Sequence, residues 1–173
     1  PVAQRRPAAR PDPDVCVLDF AMPHVSGSDL LDSIKAQGIA GSALVQIEHG
    51  ALLHDIDKLK IPDRILCKPG RLTDEEWRVM IRHAEYGFEF LSRIGFLEGA
   101  AEIVYSHHEK FDGCGYPRGL KGVAIPFGAR VFAIVDAVDA MSCTRPYHAA
   151  ISFEEAAAEV RRCSGHHFDP DLV

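Results

Sequence analysis

The sequence lacks the features that define several common protein classes. Its five cysteines are odd in number, scattered and without a C-x-x-C pair, which argues against a disulfide framework or a zinc knuckle and favours the reducing cytosol. No run approaches the roughly 20 apolar residues that a membrane-spanning helix needs. The formal net charge is -6 and no segment supplies a basic face, so a nucleic-acid polymer is not an expected partner. We therefore expect a cytoplasmic protein with no membrane partner.

The start of the chain also lacks the apolar core of a signal peptide, since PVAQRRPAARP carries charges instead. Four prolines and three arginines fall within the first 13 residues without apolar periodicity, which predicts a disordered leader over residues 1–12. The sequence begins at Pro1 rather than at a methionine. We expect it to be a fragment or a processed piece of something longer.

The next segment, residues 13–50, has a strand–helix–strand pattern. VCVLDF (15–20) is typical of a short buried strand, GSDLLDSIKAQG (27–38) of a helix closed by glycine, and SALVQI (42–47) of a second strand. One βαβ unit cannot cover both faces of a parallel pair, so this segment should not fold alone.

From Gly50 onward the pattern is helical, which predicts a mainly α fold with a sizeable core for a chain that is 47% hydrophobic. The strongest helix signal is TDEEWRVMIRHAEYGFEFLSRIG (73–95), where Thr73 and Glu76 form a capping box ahead of an apolar stripe. Further helices are predicted over residues 98–109, 128–142 and 152–163.

Several histidines stand at helix ends or beside apolar faces, where they are candidates for metal binding. His54 and Asp55 follow the apolar run ALL, although one such pair alone is more often a salt bridge at a helix end. His83 flanks an apolar stripe, where a lone histidine is more often a satisfied core residue than a ligand. His107 and His108 lean toward the apolar side of their helix, where two adjacent imidazoles can serve two metals. Chance adjacency on a solvated helix end is the alternative.

Asp136 interrupts an apolar face. In GARVFAIVDAVDAM the helical period runs from Ala133 through position 136 to Ala140, so a carboxylate occupies a place where an apolar residue is expected. Burying an unpaired carboxylate costs several kcal/mol, and a metal or a cation is the usual remedy. Pairing with Arg130 or Arg145 is the alternative to a metal.

Four imidazoles and two carboxylates thus come from four helical segments. Nitrogen and oxygen ligands without a thiolate suit iron or manganese better than a closed zinc site. Six ligands are too many for one catalytic ion but suit two, and a metal pair bridged by a carboxylate suits in-line attack on a phosphoester. The predicted ligands are His54, Asp55, His83, His107, His108 and Asp136.

Residues 51–173 resemble the HD-GYP phosphodiesterases, bacterial signalling enzymes of the HD superfamily that hydrolyse cyclic di-GMP. The resemblance rests on the order and spacing of LLHDIDKLKIPD, CKPGRLTDEEWRVMIRHAEYG, HHEKFDGCGYPRGLKG, IPFGARVFAIVDAVDAM, RPY, SFEEAAAEVRR and FDPDLV. It implies an HD-type helical bundle with two divalent metal ions, most simply iron or manganese, held by the six residues above.

The resemblance also implies roles at the substrate. Asp55 and Lys58 would be catalytic, and Gly115, Tyr116 and Arg145 would contact cyclic di-GMP. The glycines of the loop, Gly113 and Gly115, would allow backbone turns and a close approach. Members of this family often form homodimers, and their product is pGpG and/or GMP.

The sequence departs from the family pattern at three places. The family usually has glycine at position 57, whereas this chain has Asp57, which could disturb metal affinity or the position of Lys58. His148 stands where a basic residue is common, which would make a phosphate contact weaker or pH-dependent. The helices that usually precede the HD motif are not visible in the sequence pattern.

Residues 13–50 resemble the middle of a response-regulator receiver domain, with Asp19 at the position of the phosphoacceptor. The resemblance implies that the chain is the output part of a two-component regulator with a sensor histidine kinase as partner. The acidic pair that holds magnesium and the later strand with its lysine are missing, which argues against phosphorylation of Asp19.

The sequence therefore predicts a metal-dependent cyclic di-GMP phosphodiesterase. The alternative is a catalytically degenerate HD-GYP module that binds the dinucleotide or acts as a scaffold, since Asp57 and the missing helices would leave the ligands without a closed site. A third hypothesis is a remnant that exposes apolar surface and aggregates.

Overall fold

A computed structural model describes residues 41–143 and 150–173, and this part of the chain is helical. The α-helices are α1 (Ser42–Leu53), α2 (Asp63–Leu66), α3 (Asp74–Met80), α4 (His83–Leu91), α5 (Glu98–Ser106), α6 (Phe127–Ser142) and α7 (Phe153–Arg162). Short 3-10 helices cover Ile56–Lys60, Gly95–Leu97 and Gly122–Ala124. The predicted mainly α fold is confirmed.

Some predictions lie outside the described residues. These are the leader (1–12), the strand and helix predicted over 15–38, and the residues Asp19, Arg145 and His148. Within the two described ranges, no helix is both long enough and apolar enough to cross a membrane. A cytoplasmic location stays a prediction.

The strand predicted over residues 42–47 is wrong, because this segment is the first half of helix α1. Short apolar runs cannot be assigned to strand or helix by periodicity alone. Here Leu44, Ile47 and Ala51 recur at helical spacing and pack with Ile103 and Phe132, so tertiary burial decides for the helix. Helix α1 also runs across the boundary predicted after residue 50.

The helix predicted over residues 73–95 is divided into α3 and α4. The predicted capping box is present, with the Thr73 hydroxyl accepting from the Glu76 amide and the Glu76 carboxylate accepting from the Thr73 amide. At the break, the Nδ1–H of His83 donates to the Met80 carbonyl at 2.8 Å. A side chain that bonds a carbonyl of the preceding turn competes with the helical hydrogen bonds. The break sets His83 at the start of a new helix.

Helix α5 is the centre of the core, since it packs against α1, α4 and α6. The helices approach closely where glycine faces the same isoleucine: a Cβ at Gly50 would lie 2.8 Å, and one at Gly128 2.6 Å, from the side chain of Ile103. Val104, on the same helix, is fully buried with Leu91. The C-terminal end of α5, which His107 and His108 directly follow, is therefore held between its neighbours.

The C-terminal segment braces the loop that follows α5. The amides of Phe111 and Asp112 donate to the carbonyls of His167 and His166 at 3.1 and 2.9 Å. Next to these bonds, the buried carboxylate of Asp169 pairs with the guanidinium of Arg130 on α6. The ion pair thus fastens the end of the chain to the helix that carries Asp136.

Acid should destabilise the fold in part through His167, whose ring stacks on Phe168 with centroids 4.4 Å apart. Burial, with the charge of Lys110 as a smaller cause, lowers the pKa of His167 to about 4. The unfolded chain, with a histidine pKa of about 6.5, binds this proton more readily. The free energy of unfolding therefore falls as the pH is lowered from about 6.5 to about 4. In His167→Gln we expect the loss of stability between these pH values to shrink by about 1 kcal/mol.

Chemical denaturation at a series of pH values would measure this effect. The matched control is His166→Gln, at a neighbouring side chain that is 83% exposed. Equal pH profiles for His167→Gln and the wild type would contradict the assignment.

Candidate metal centre

The predicted ligands stand on four helical segments, and five of them lie near one another: His54, Asp55, His83, His107 and His108. His54 and Asp55 follow the end of α1, and His83 opens α4. The remaining residues are His107 and His108 directly after α5, and Asp136 in the middle of α6.

Three of the histidines form a group that can hold a metal ion. One ring nitrogen from each of His83, His107 and His108 lies within 4.8 Å of the other two. His83 and His107 are buried and His108 is partly buried. The Nε2 atoms of His83 and His108 are 3.1 Å apart. His54 lies beside this group, with its ring centroid 5.6 Å from that of His107.

The orientation of three of the rings is set by hydrogen bonds to the backbone of the preceding turn. Nδ1–H donates to the carbonyl three residues earlier in His54 (2.7 Å), His83 (2.8 Å) and His107 (2.7 Å). A histidine whose Nδ1 is occupied in this way presents the lone pair of Nε2, as metal-binding histidines commonly do.

The surroundings of the His107 Nε2 atom show whether the residues present fit a metal ion. It is buried and has no hydrogen-bond partner among the described residues. A buried polar atom without a partner is costly, and a metal ion is one partner that an imidazole lone pair accepts. The residues present therefore fit a metal ion.

Burial keeps the central imidazoles neutral. It lowers the pKa of His83 to about 4, and it lowers the pKa of His107 and His108 well below the ordinary histidine value, with neighbouring positive charge adding to the effect. Only a neutral imidazole can bind a metal, so these rings are in the binding form at neutral pH without first losing a proton.

Asp55 is the acidic centre of the site. Its Oδ2 accepts from Nζ of Lys58 at 2.7 Å and lies 3.4 Å from Nε2 of His54. Burial opposes ionisation, but the hydrogen bonds and charges of His54 and Lys58 hold the pKa of Asp55 well below its usual range. Burial likewise lowers the pKa of His54, while the carboxylates of Asp55 and Asp136 raise it above its ordinary value overall. The charge of Asp136 thus helps to raise the pKa of His54.

Of the two cations suggested as partners of Asp136, Arg145 lies outside the described residues and Arg130 is engaged with other groups. Arg130 pairs with Asp169, and its Nε–H donates to the Ile125 carbonyl at 3.1 Å. Asp136 is only partly buried, whereas Asp139 one turn later is 5% exposed.

Asp57, where the family usually has glycine, points toward α4. It is 5% exposed, and its Oδ2 accepts from the Gly87 amide at 3.2 Å. A Cβ at Gly87 would lie 2.8 Å from that oxygen, so the glycine makes the space that Asp57 fills. Burial, with the charge of Asp55 as a further cause, raises the pKa of Asp57 to about 7. Lys58 keeps its bond to Asp55, so Asp57 does not displace it.

Tyr116 lies over the histidine group. Its ring centroid is 4.7 Å from that of His108 and 6.3 Å from that of His83. On its other side the indole of Trp77 meets it edge to face, with centroids 5.8 Å apart. The predicted substrate-binding tyrosine is therefore next to the predicted metal ligands.

The glycine-rich loop has the backbone geometry expected from the sequence. Gly113 has a φ of 87°, a left-handed conformation that favours glycine. A Cβ at Gly115 would lie 2.3 Å from the Lys110 amide nitrogen and 2.5 Å from the His108 carbonyl oxygen. The loop thus folds directly against the backbone of the residues that end α5.

Sequence reasoning missed two residues of this site. Trp77 belongs to the apolar stripe that follows Thr73, and nothing in the sequence indicates its contact with Tyr116. Glu109 stands in the motif HHEKFDG, yet no role was assigned to it. It is 2% exposed and accepts from loop amides, and a carboxylate between a helix end and a glycine-rich loop was the available signal.

A helical fold with paired histidines and aspartates at the meeting point of its helices defines the HD class of proteins. The family model described as HD domain matches residues 30–172, and the chain belongs to this family. The match begins before the boundary predicted after residue 50.

Several relatives are named for cyclic-dinucleotide hydrolysis, which confirms the resemblance of residues 51–173 to the HD-GYP phosphodiesterases. The resemblance of residues 13–50 to a receiver domain stays a prediction. A cyclic di-GMP phosphodiesterase of Thermotoga maritima is 45% identical over 80% of this chain and 38% of its own length. A 3'3'-cGAMP-specific phosphodiesterase 2 of Vibrio cholerae is 43% identical over 79% of this chain and 26% of its own length. The chain thus spans well under half of these relatives.

The fold is also that of a solved structure. The crystal structure of a cyclic GMP-AMP specific phosphodiesterase of Vibrio cholerae, V-cGAP3, matches 83% of this chain and 39% of its own chain with a TM-score of 0.64. At 20% sequence identity this match establishes the fold.

Proposed function

We propose that this chain is a metal-dependent phosphodiesterase that hydrolyses cyclic di-GMP to pGpG and/or GMP. The observation that carries the proposal is the group of three neutral, buried or partly buried histidines whose ring nitrogens lie within 4.8 Å of one another beneath Tyr116. Relatives named as cyclic-dinucleotide phosphodiesterases support the substrate class.

The proposed metal complement is two divalent ions, iron or manganese. His83, His107 and His108 would hold one side of the centre, and His54, Asp55 and Asp136 the other. When bound, such ions neutralise charge on the phosphoryl oxygens and activate water for in-line attack. Ligands limited to nitrogen and oxygen favour iron or manganese over a closed structural zinc site.

The protein's own residues supply position and a proton. Lys58 holds the Asp55 carboxylate at 2.7 Å, and Lys58 or a protonated imidazole is proposed to protonate the leaving oxygen. Tyr116 and the backbone at Gly115 would contact the dinucleotide, and Arg145, outside the described residues, would contact its phosphate. A sensor histidine kinase and a homodimer stay predictions.

A second substrate is favoured by a specific observation. The Vibrio cholerae relative at 43% identity is named as specific for 3'3'-cGAMP. Both cyclic dinucleotides share the phosphodiester that the metal centre would bind and differ in one base. Parallel assays with the two substrates on one preparation decide between them.

Changing Asp55 to asparagine should lower both metal content and turnover. The substitution preserves shape but removes the charge that Lys58 and His54 balance, so we expect a fall of at least about 10-fold in both quantities. Metal is measured by plasma mass spectrometry on anaerobically purified protein, and turnover by chromatography of the products.

Asp63→Asn is the matched control, because Asp63 is exposed at the start of α2, away from the cluster. It should retain wild-type metal content and rate. An unchanged rate in Asp55→Asn would show that the reaction does not depend on the proposed metal centre. Metal-loaded wild type that turns over neither dinucleotide would reject the phosphodiesterase and favour the degenerate binding module.

A further inference from the structure

The carboxylate of Glu109 is enclosed by the loop that carries Tyr116. Glu109 directly follows the histidine pair and is 2% exposed. Its Oε1 accepts from the Arg118 amide at 2.7 Å, and its Oε2 accepts from the Leu120 amide at 3.0 Å. A buried carboxylate needs such partners, and hydrogen bonds to an ionised acceptor are stronger than neutral ones.

Further bonds attach the same loop to the end of α5. The amide of Tyr116 donates to the His108 carbonyl at 3.2 Å. Tyr116 precedes, along the chain, the two residues whose amides donate to Glu109. The Arg118 guanidinium donates to Glu102 at 3.0 Å and to Ser106, both on α5. The loop is thus fastened, at Tyr116 and at the residues that follow it, to α5 and to the histidine pair after it.

We propose that Glu109 is a positioning residue for the cyclic-dinucleotide substrate: it holds Tyr116 at its place over His108 through the loop backbone. This inference rests on the proposed function of the site. Without the carboxylate, the amides of Arg118 and Leu120 lose their acceptors, and the loop is held only by the Tyr116 amide and the Arg118 guanidinium. Tyr116 then no longer keeps a fixed distance from the metal ligands.

Glu109 acts through the loop and not as a metal ligand. Each of its two oxygens already accepts a backbone N–H, and it is not part of the group formed by His83, His107 and His108. Its loss should therefore weaken the binding of a substrate that reaches Tyr116 and spare one that needs only the metal centre.

Two substrates separate these effects. Cyclic di-GMP reaches the loop, whereas bis(4-nitrophenyl) phosphate is a diester without bases that requires only the metal centre. For Glu109→Ala we expect kcat/KM on cyclic di-GMP to fall by about 30-fold, mainly through KM, with less than about a 3-fold change on the small diester. Glu109→Gln keeps one acceptor oxygen and should show an intermediate loss.

The test includes a control and a test of coupling. Glu98→Gln removes a charge from the exposed first turn of α5 and should change neither rate. If Glu109 acts through Tyr116, adding Glu109→Gln to Tyr116→Ala should cost little more than Tyr116→Ala alone. Additive losses would overturn the proposal.

Other outcomes are equally decisive. Equal losses on both substrates, or loss of metal in Glu109→Gln, would assign the residue to the metal centre or the fold and overturn the inference. Wild type that cleaves the small diester but not cyclic di-GMP would refute the proposed reaction. In that case the affinity for the dinucleotide, measured through the fluorescence of Trp77 next to Tyr116, still tests the role of Glu109. Equal affinities of wild type and Glu109→Gln would refute that role.

Discussion

Replacing His107 by alanine should abolish metal retention and, with it, phosphodiesterase activity. His107 is 3% exposed, and its Nε2 has no hydrogen-bond partner among the residues described. Its ring lies next to those of His54, His83 and His108, with centroids 5.6, 5.6 and 3.9 Å away. We expect metal affinity to fall by more than about 100-fold, since loss of a residue that only supports a ligand already costs 10- to 100-fold.

Metal titration followed by calorimetry, with activity measured on the same samples, tests this result. His166→Ala is the matched control because that ring is 83% exposed and lies outside the cluster. Thermal unfolding of the metal-free proteins separates loss of the ligand from loss of the fold. Full metal binding by folded His107→Ala would place the centre elsewhere.

Changing Gly115 to alanine should have the largest effect of any substitution in the loop. The added methyl group would lie 2.3 Å from the Lys110 amide nitrogen and 2.5 Å from both the Glu109 Cα and the His108 carbonyl oxygen. These are backbone atoms that cannot rotate away, so the loop must leave the end of α5. Overpacking of this kind costs about 1–3 kcal/mol, and we expect turnover of cyclic di-GMP to fall by about 100-fold.

The control for Gly115→Ala is Gly95→Ala, where nothing lies within 4 Å of the added carbon. Gly95→Ala should match the wild type in rate and in thermal stability. Gly115→Ala should retain metal, because the rings of His83 and His107 are oriented by bonds to the backbone of the preceding turn and not by the loop. Wild-type turnover in Gly115→Ala would show that the close approach of the loop is not needed for the reaction.

The candidate ligands were predictable from the sequence because their signal is local. A histidine beside an aspartate, an adjacent histidine pair and an aspartate on an apolar helical face are visible in the sequence letters alone. The resemblance then placed Tyr116 and the glycines of the loop at the substrate. In the structure His83, His107 and His108 form one group with His54 beside it, and the assignment of all six residues as ligands stays a prediction.

The segment before the cluster could not be assigned in the same way. SALVQI is apolar enough for a strand and for a buried helix, and only its packing against Ile103 and Phe132 favours the helix. Likewise the apolar stripe after Thr73 continues through the break at His83, because periodicity does not register a side chain that bonds a carbonyl of the preceding turn.

The sequence by itself determined which side chains can bind a metal, on which helical segments they stand and where the loop must be glycine. These properties depend on residue chemistry and on spacing along one helix. Only the tertiary structure decided that Asp57 fills the space left by Gly87, that Glu109 bonds the loop and that Trp77 meets Tyr116. The contacts of Asp57 and Trp77 join residues far apart in the chain and depend on how closely the segments pack. The bonds of Glu109 depend on the path of an irregular loop, and periodicity encodes neither.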